Sequence, residues 1–482
     1  MRKLLLLLIA CIVIFEGYGQ AVADSAIILE SPSAFEQQVQ ASNEQVVAPL
    51  AGRWERIGRG MIGLTVLIAL GWLLSRDRRN ISWPLVFKGL AIQLALAFSI
   101  LHLPLVKEGF DSMSRGFVWL LSFSDQGAEF LFGRLTTEAN SFGTVFAFKV
   151  LPTVVFFSAV TSVLFYLGIL QWLVKFFAAL MRKSLGLSGA ESLAAVGNVF
   201  LGQTEAPLLV KPYISGMTRS ELLCLMSGGM STIAGGVLAA YIGFLGGSDP
   251  EMQIFFAKHL IAASVMSAPA AVLAAKMMLP EKGEVHQEAR ISRQEVGSNI
   301  LEAVTNGTTQ GLRLAVNVGV MLLVFIALIY FLNAALYEGL GEWTGLNDWV
   351  REASNGAFDG LSMQAILGFI LAPLTWLMGV PSQDVLQVGQ LLGEKTVLNE
   401  FVAYVSMADM RNAGHLNNEQ SVVMATYMLC GFSNFASIGI QIGGVGALAP
   451  GRRKDLSQLG FPALIAGTFA SLYTAVVVGM LI

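Results

Sequence analysis

The stretch Gly197 to Ile214, GNVFLGQTEAPLLVKPYI, decides how this chain folds. Within eight residues it places Asn198, Gln203, Thr204 and Glu205, with Gly197 and Gly202 before the acid and Pro207 and Pro212 after it. It is too short and too broken to cross a bilayer as one helix, which takes about 20 apolar residues. A carboxylate left unpaired near the membrane midplane costs about 2.5–3.5 kcal/mol. Most of that cost disappears if the segment enters and leaves by the same side, as a hairpin whose tip lines a wet cavity. The stretch is therefore expected to be a re-entrant hairpin with Glu205 near its tip.

The rest of the chain supplies the membrane. Of 482 residues, 55% are hydrophobic and only 13% charged, where a soluble domain carries about 25% charged residues. Apolar runs of about twenty residues recur, so this is an all-α polytopic membrane protein. Its 50 glycines suit helices that pack closely or break. A net charge of −3 gives no footprint for nucleic acid. Cys11, Cys224 and Cys430 are far apart and suggest neither a metal site nor a disulfide framework.

At the amino terminus Arg2 and Lys3 precede an apolar run from Leu4 to Phe15, and Ala21-Val22-Ala23 offers an A-x-A cleavage site. That is the pattern of a signal peptide over residues 1–23. Leu8-Ile9-Ala10-Cys11 also fits a lipoprotein box. Cleavage after Ala23 would leave a polar periplasmic segment, 24–57, and start the mature chain outside.

Eight spans are expected. The first two run from about Gly58 to Leu74 and Pro84 to Leu103, followed by an outer segment with amphipathic pieces to about Gly143. Arg76, Arg78 and Arg79 after the first span mark the cytoplasmic side. Residues 144–280 hold span three (Phe146–Leu170), a basic amphipathic interfacial helix (Gln171–Lys183), the first hairpin, span four (Glu221–Leu245) and span five (Ile254–Met278). A cytoplasmic linker covers 281–311. Residues 312–482 hold span six (Leu312–Leu336), an acidic outer segment, an outer interfacial helix, a second hairpin from Pro381 to Met410, span seven (Ser421–Gly444) and span eight from Phe461 onward. Both mature termini are then periplasmic, in a bacterial inner membrane.

The two halves correspond. GLSGAESLAAVGNVFLG at Gly186–Gly202 parallels GVPSQDVLQVGQLLG at Gly379–Gly393, and each leads to a glutamate, Glu205 or Glu400. Each is followed by a glycine-rich span suited to unwinding, GGMSTIAGG at Gly228–Gly236 or GFSNFASIG at Gly431–Gly439. Three crossings separate the hairpins, so their bases fall on opposite sides of the membrane. Broken helices meeting between inverted repeats are how a secondary transporter builds its binding site.

At GQTEAP (Gly202–Pro207), NEFVAY (Asn399–Tyr404) and GFSNFASIG the chain resembles the concentrative nucleoside transporter family. The resemblance covers the chain from about the first span to the carboxyl end. It implies a homotrimer that takes up nucleosides, purine or pyrimidine, with a sodium ion as coupling ion and no other cofactor, by an elevator motion against spans three and six. It implies eight spans, two hairpins and two interfacial helices. It carries base contacts onto Gln203, Thr204 and Glu205, an apolar wall onto Val237, and ribose contacts onto Glu400, Asn434 and Ser437, with Phe432 alongside. A carboxylate accepting ribose hydroxyls and amides facing the mixed edge of a base suit those roles. For sodium it implies the side chains of Asn198 and Thr232 and the carbonyls of Leu201 and Ile233, hard oxygen ligands at unwound helix ends. Gly236 stands where the family often has Ser or Thr, at a position that bears on base preference.

A proton-coupled transporter of the same fold is the alternative, with Glu205 or Glu400 titrating. An enzyme is not expected, since the spans hold no HExxH, GxSxG or nucleophile–histidine pair.

Overall fold

Long apolar runs become long helices, and glycine and proline decide where they stop. The computed structural model describes residues 53–136, 146–283, 299–416 and 418–482; the expected signal peptide, the lipoprotein box, residues 24–52 and residues 284–298 of the expected cytoplasmic linker lie outside them. Among the described residues there is no strand. The first part holds α1 (Arg53–Leu74), α2 (Trp83–His102) and α3 (Pro104–Phe132). The first repeat holds α4 (Phe146–Tyr166), α5 (Ile169–Leu185), the hairpin helix α6 (Gly189–Phe200), the two halves of span four, α7 (Arg219–Ser231) and α8 (Gly235–Gly246), and α9 (Pro250–Met278). The second repeat holds α10 (Ile300–Ala334), the short outer α11 (Leu346–Ala353), α12 (Met363–Leu377), the hairpin helices α13 (Val385–Val397) and α14 (Glu400–Asn412), the halves of span seven, α15 (Glu419–Leu429) and α16 (Phe435–Leu448), and α17 (Arg453–Gly479).

Seven stretches among the described residues are long and apolar enough to cross a membrane, span four counted as one. The eighth crossing is α15 and α16, each too short alone. Several expected bounds are corrected: span one begins at Arg53, not Gly58, span three ends at Tyr166, not Leu170, and span eight begins at Arg453, not Phe461. Span six begins at Ile300, not Leu312, because Asn299 caps the helix there by accepting from the Glu302 N–H at 2.9 Å. The outer amphipathic pieces are one continuous helix, α3, which buries Ser114, Leu121, Ser124 and Ala128 along one stripe and is tied to α9 by the Lys258–Asp111 ion pair at 2.8 Å.

The hairpins enter from opposite faces. At the base of the first, Thr218 and Glu221 form a capping box that starts α7, and Thr218 Oγ1 donates to Glu281 just past the end of α9. Arg452, just before α17, donates to the carbonyls of Ser215 and Met217 at 3.0 and 2.7 Å. At the base of the second, Arg411 donates to the Leu245 carbonyl at the other end of span four at 2.8 Å. One face therefore collects Arg76, Arg78, Arg79, Lys211, Arg219, Lys282, Arg452, Arg453 and Lys454, joined in part by ion pairs Lys282–Asp77 and Arg219–Asp455.

Spans three and six cross through glycine. Gly307 and Gly311 of α10 form a GxxxG pair. A Cβ on Gly311 would lie 2.8 Å from Val155 Cα, and one on Gly307 2.8 Å from Ala159 Cα, both on α4. Only glycine allows backbones that close. Away from α4, α10 leaves Leu323, Tyr330 and Phe331 exposed.

Candidate substrate and ion site

The two broken spans cross at their breaks. α7 ends at Ser231 and α8 starts at Gly235; α15 ends at Leu429 and α16 starts at Phe435. Ser433 Oγ donates to the Met230 carbonyl at 2.7 Å across the crossing. Gly431 holds φ +93°, and a Cβ there would lie 2.4 Å from the carbonyl carbon of Ser231. No other residue fits that place.

Each hairpin brings its tip to this crossing. In the first, Leu201 leaves α6 in extended conformation, Gly202 follows, and the Glu205 carboxylate turns back to accept from the Gly202 N–H at 3.2 Å. The acid thus closes its own turn. In the second, the tip is shorter: Asn399 Oδ1 accepts from the Val402 N–H at 2.9 Å and starts α14 at Glu400. Glu400 is 2% exposed. Its Oε1 accepts from Tyr241 Oη at 3.0 Å and its Oε2 from Asn434 Nδ2 at 2.8 Å.

Asn434 is the joint between the halves. Its Oδ1 caps α16 by accepting from the Ser437 N–H at 2.8 Å, while its amide reaches Glu400. Ser437 Oγ accepts from Gln203 Nε2 at 3.2 Å. A continuous polar path therefore runs from the first hairpin to the second: Gln203, Ser437, Asn434, Glu400. It crosses the N-terminus of a helix that begins at membrane depth. Phe432 lies half-buried in the break two residues before Asn434, and Val237 is buried in the first turn of α8. Thr204 stands apart from this path: it is exposed and packs on Gly444, two turns along α16 from Ser437.

The residues expected to hold an ion gather one step away. Asn198 is fully buried two residues before the end of α6. Among the described residues, its Nδ2 reaches only the Leu225 carbonyl at 3.5 Å, and its Oδ1 accepts no hydrogen bond. A Cβ on Gly228 would come within 2.9 Å of that amide. Thr232 Oγ1 donates back to the Gly228 carbonyl at 2.9 Å, leaving its lone pairs free. Leu201 and Ile233 are buried, Leu201 in extended backbone after α6 and Ile233 in the break just past the extended Thr232 that ends α7. A buried amide oxygen without a donor, a hydroxyl whose proton is already spent, and two helix C-termini make an oxygen-rich, electronegative spot that fits a small hard cation.

Several residues of the site are not among those expected from sequence. Gln441 Nε2 lies 3.1 Å from Gln203 Oε1 and 2.9 Å from the Met226 carbonyl, orienting the tip of hairpin one. Asn434, Ser437 and Gln441 stand at helical spacing on one face, which was a readable signal. Tyr241 and Ser264 carried no such signal. Ser264 Oγ, on span five, donates to the Val199 carbonyl at 3.2 Å and lies 3.4 Å from the Ile233 N–H it accepts, tying hairpin one to the break. The cavity of about 680 Å³ lined by Tyr330, Asn333, Phe358, Gln364, Gln387 and Gln390 touches none of the expected site residues.

Two hairpins of opposite entry, two spans broken at one crossing and a polar path between them define the class: a secondary transporter built on an inverted repeat. Family models described as Na+ dependent nucleoside transporter N-terminus, nucleoside recognition, and Na+ dependent nucleoside transporter C-terminus match residues 62–135, 147–248 and 259–479. The chain belongs to the sodium-dependent nucleoside transporter family. It is 41% identical over 426 residues to an uncharacterized transporter of Haemophilus influenzae, covering 88% of this chain and 97% of that one. It is 40% identical over 434 residues to solute carrier family 28 member 3 of Rattus norvegicus, covering 87% of this chain and 58% of that protein's length. Its fold is similar to CNTnw in an inward-facing substrate-bound state, with a TM-score of 0.78, 37% identity, and 88% of this chain and 98% of that one covered.

Proposed function

We propose that this chain takes up nucleosides by symport with sodium, and that the path Gln203–Ser437–Asn434–Glu400 is where the nucleoside is held. That path is the observation that carries the reading. It offers a carboxylate that accepts from ribose hydroxyls, an amide and a hydroxyl that give and take, and sides walled by Val237 and Phe432. Gln203 and Glu205 face the base from the first hairpin; Glu400 and Asn434 face the sugar from the second. Thr204, on the outer edge, contacts the base only once hairpin one has shifted along α16. A substrate bridging both tips replaces hydrogen bonds that each tip now makes to α16 and its cap, Gln203 to Ser437 and Glu400 to Asn434, so binding and closure are one event.

The coupling ion is held by Asn198, Thr232 and the carbonyls of Leu201 and Ile233. Because Asn198 belongs to α6, which carries Gln203 and Glu205 at its end, an ion there fixes the tip that reads the base. Gly236 has room for a larger side chain, a Cβ lying no nearer than 3.5 Å to its neighbours, so a broad choice of bases is expected.

The hairpins and broken spans travel as one body against α4 and α10, whose glycine crossing keeps those two together. The chain assembles as a homotrimer, with the exposed face of α10 placed between copies. The face collecting the arginines and lysines is cytoplasmic, by the usual excess of basic residues on that side. Counterflow in proteoliposomes with a panel of labelled nucleosides, with and without sodium, tests the reading. Sodium-dependent exchange of nucleosides is expected; exchange indifferent to sodium, or none with any nucleoside, overturns it.

A further inference from the structure

Aligning the two repeats by the ends of their hairpin helices exposes an exchange. α6 ends at Phe200 and α13 at Val397, so Asn198 and Lys395 each stand two residues before the end. Both are fully buried. Both face the C-terminal end of the first half of their own repeat's broken span. In the first repeat that spot offers the unpaired Oδ1 of Asn198 and the carbonyls after α7. In the second it is filled. Lys395 Nζ donates to the Met428 carbonyl at 2.8 Å, the Cys430 carbonyl at 3.0 Å and Ser471 Oγ at 3.1 Å.

The surroundings are mirrored as well. Ser471, on span eight, donates to the Cys430 carbonyl at 2.9 Å and accepts from Lys395. Ser264, on span five, plays the matching part in the first repeat by bridging Val199 and Ile233. Among the described residues Lys395 forms no ion pair with any carboxylate. Its three protons go to neutral oxygens, two of them carbonyls at the end of α15. An alkali cation would ask for the same set of hard oxygen donors. A buried charge without a direct ion pair is expensive; the two helix C-termini that meet at Lys395, those of α13 and α15, offset it together with the field of the Glu400 carboxylate.

We propose that Lys395 is a tethered cation that occupies, in the second repeat, the place the exchangeable coupling ion takes in the first. It makes one of two mirror-related cation sites permanent, so that only the site at Asn198 loads and empties. Lys395 positions rather than binds: it holds the break of span seven in the form that presents Asn434 and Ser437. The inference rests on the sodium reading of the first repeat.

The test removes the tether. In the purified full chain, thermal unfolding is followed against sodium chloride at constant ionic strength set with choline, for wild type, Lys395→Ala and Lys395→Met. The slope of stability against the logarithm of ion concentration counts ions taken up by the folded protein. Lys395→Ala is expected to gain a slope of about one further ion over wild type, and in proteoliposomes to move one more charge per nucleoside. Lys395→Met fills the space without charge and is expected to lose nucleoside binding that Lys395→Ala regains in high sodium. Wild-type slopes and wild-type transport in both variants overturn the proposal. Asn198→Lys is the converse variant: it should make stability and nucleoside binding indifferent to sodium, and a wild-type sodium response in it also overturns the proposal. A wild type without any sodium slope counts against sodium coupling itself, whereas a cation response gained by Lys395→Ala over that baseline still upholds the tether.

Discussion

Replacing Glu400 by glutamine isolates what the charge does, because the shape is kept. The carboxylate accepts from Tyr241 Oη at 3.0 Å and from Asn434 Nδ2 at 2.8 Å. Asn434 cannot flip to suit a new partner, since its Oδ1 is held by the Ser437 N–H at 2.8 Å. Glutamine therefore keeps its oxygen toward Asn434 and turns its amide toward Tyr241, whose hydroxyl rotates to accept. The fold loses the charged character of two bonds and keeps both, at about 1 kcal/mol. The substrate fares worse. A ribose hydroxyl that met a carboxylate now meets an amide whose oxygen is already engaged, and a hydrogen bond to a charged group is worth about 1.5–3 kcal/mol. Nucleoside affinity should fall about 10- to 150-fold. Binding of labelled nucleoside to purified Glu400→Gln protein measures the loss, with its thermal melting as the control for folding. Unchanged affinity in a normally melting protein would refute the placing of the sugar at Glu400.

Asn198→Ala removes the unpaired amide oxygen from the ion spot; the sodium concentration for half-maximal uptake should rise about tenfold, as for the loss of one hydrogen-bonding group of roughly 1.4 kcal/mol, while nucleoside affinity at saturating sodium stays near wild type. Gly431→Ala forces a side chain into φ +93° against the Ser231 backbone; about 1–3 kcal/mol of strain and a similar overpacking cost should separate the two breaks, seen as lost thermal stability and lost uptake together. Gly311→Leu pushes α10 off α4 and should cost about 1–3 kcal/mol, read as a fall in melting temperature with nucleoside affinity retained. Nucleoside monophosphates should fail to compete with nucleosides for binding, because a phosphate brought between Glu205 and Glu400 meets two carboxylates and no cationic side chain of the site; competition by a monophosphate at nucleoside-like concentrations would count against that placing of the acids.

The fold was legible wherever hydrophobicity and its interruptions set it. Length and apolarity marked the spans, and clustered polar residues among glycines and prolines marked the hairpins and breaks. Two of the misjudged bounds have clear local causes. Ile300 to Gly311 is too polar to read as membrane, with Glu302, Asn306 and Gln310, yet Asn299 caps it and α4 covers its glycine face. The segment after Pro104 carries enough charge to look broken, but its buried residues from Ser114 to Ala128 keep helical spacing. At the site, residues conspicuous in an apolar run, such as Glu400 and Asn434, could be picked out singly. Tyr241, Ser264 and Lys395 could not. A tyrosine in a membrane helix, a serine facing a carbonyl and a lysine near a hairpin tip each have an ordinary packing role, and only the crossing of the two breaks gives them another.

That crossing also explains how so polar a centre persists inside a membrane. α8, α14 and α16 all begin there, so their positive ends face the same region as Glu205 and Glu400, and Glu400 itself sits in the first turn of α14 beside the cap of α16. α6, α7, α13 and α15 all end there, presenting carbonyls with no successor. Helix starts are matched by acids and helix ends by Lys395 on one side and, as proposed, by the coupling ion at Asn198 on the other. On the proposed reading, the acids are held whether or not a substrate is bound, while one pair of helix ends depends on a charge that comes from solution. An inverted repeat would by itself give two equivalent ion sites. If Lys395 fills one from its own chain, as proposed, loading of the other becomes the single event that completes the balance and fixes hairpin one.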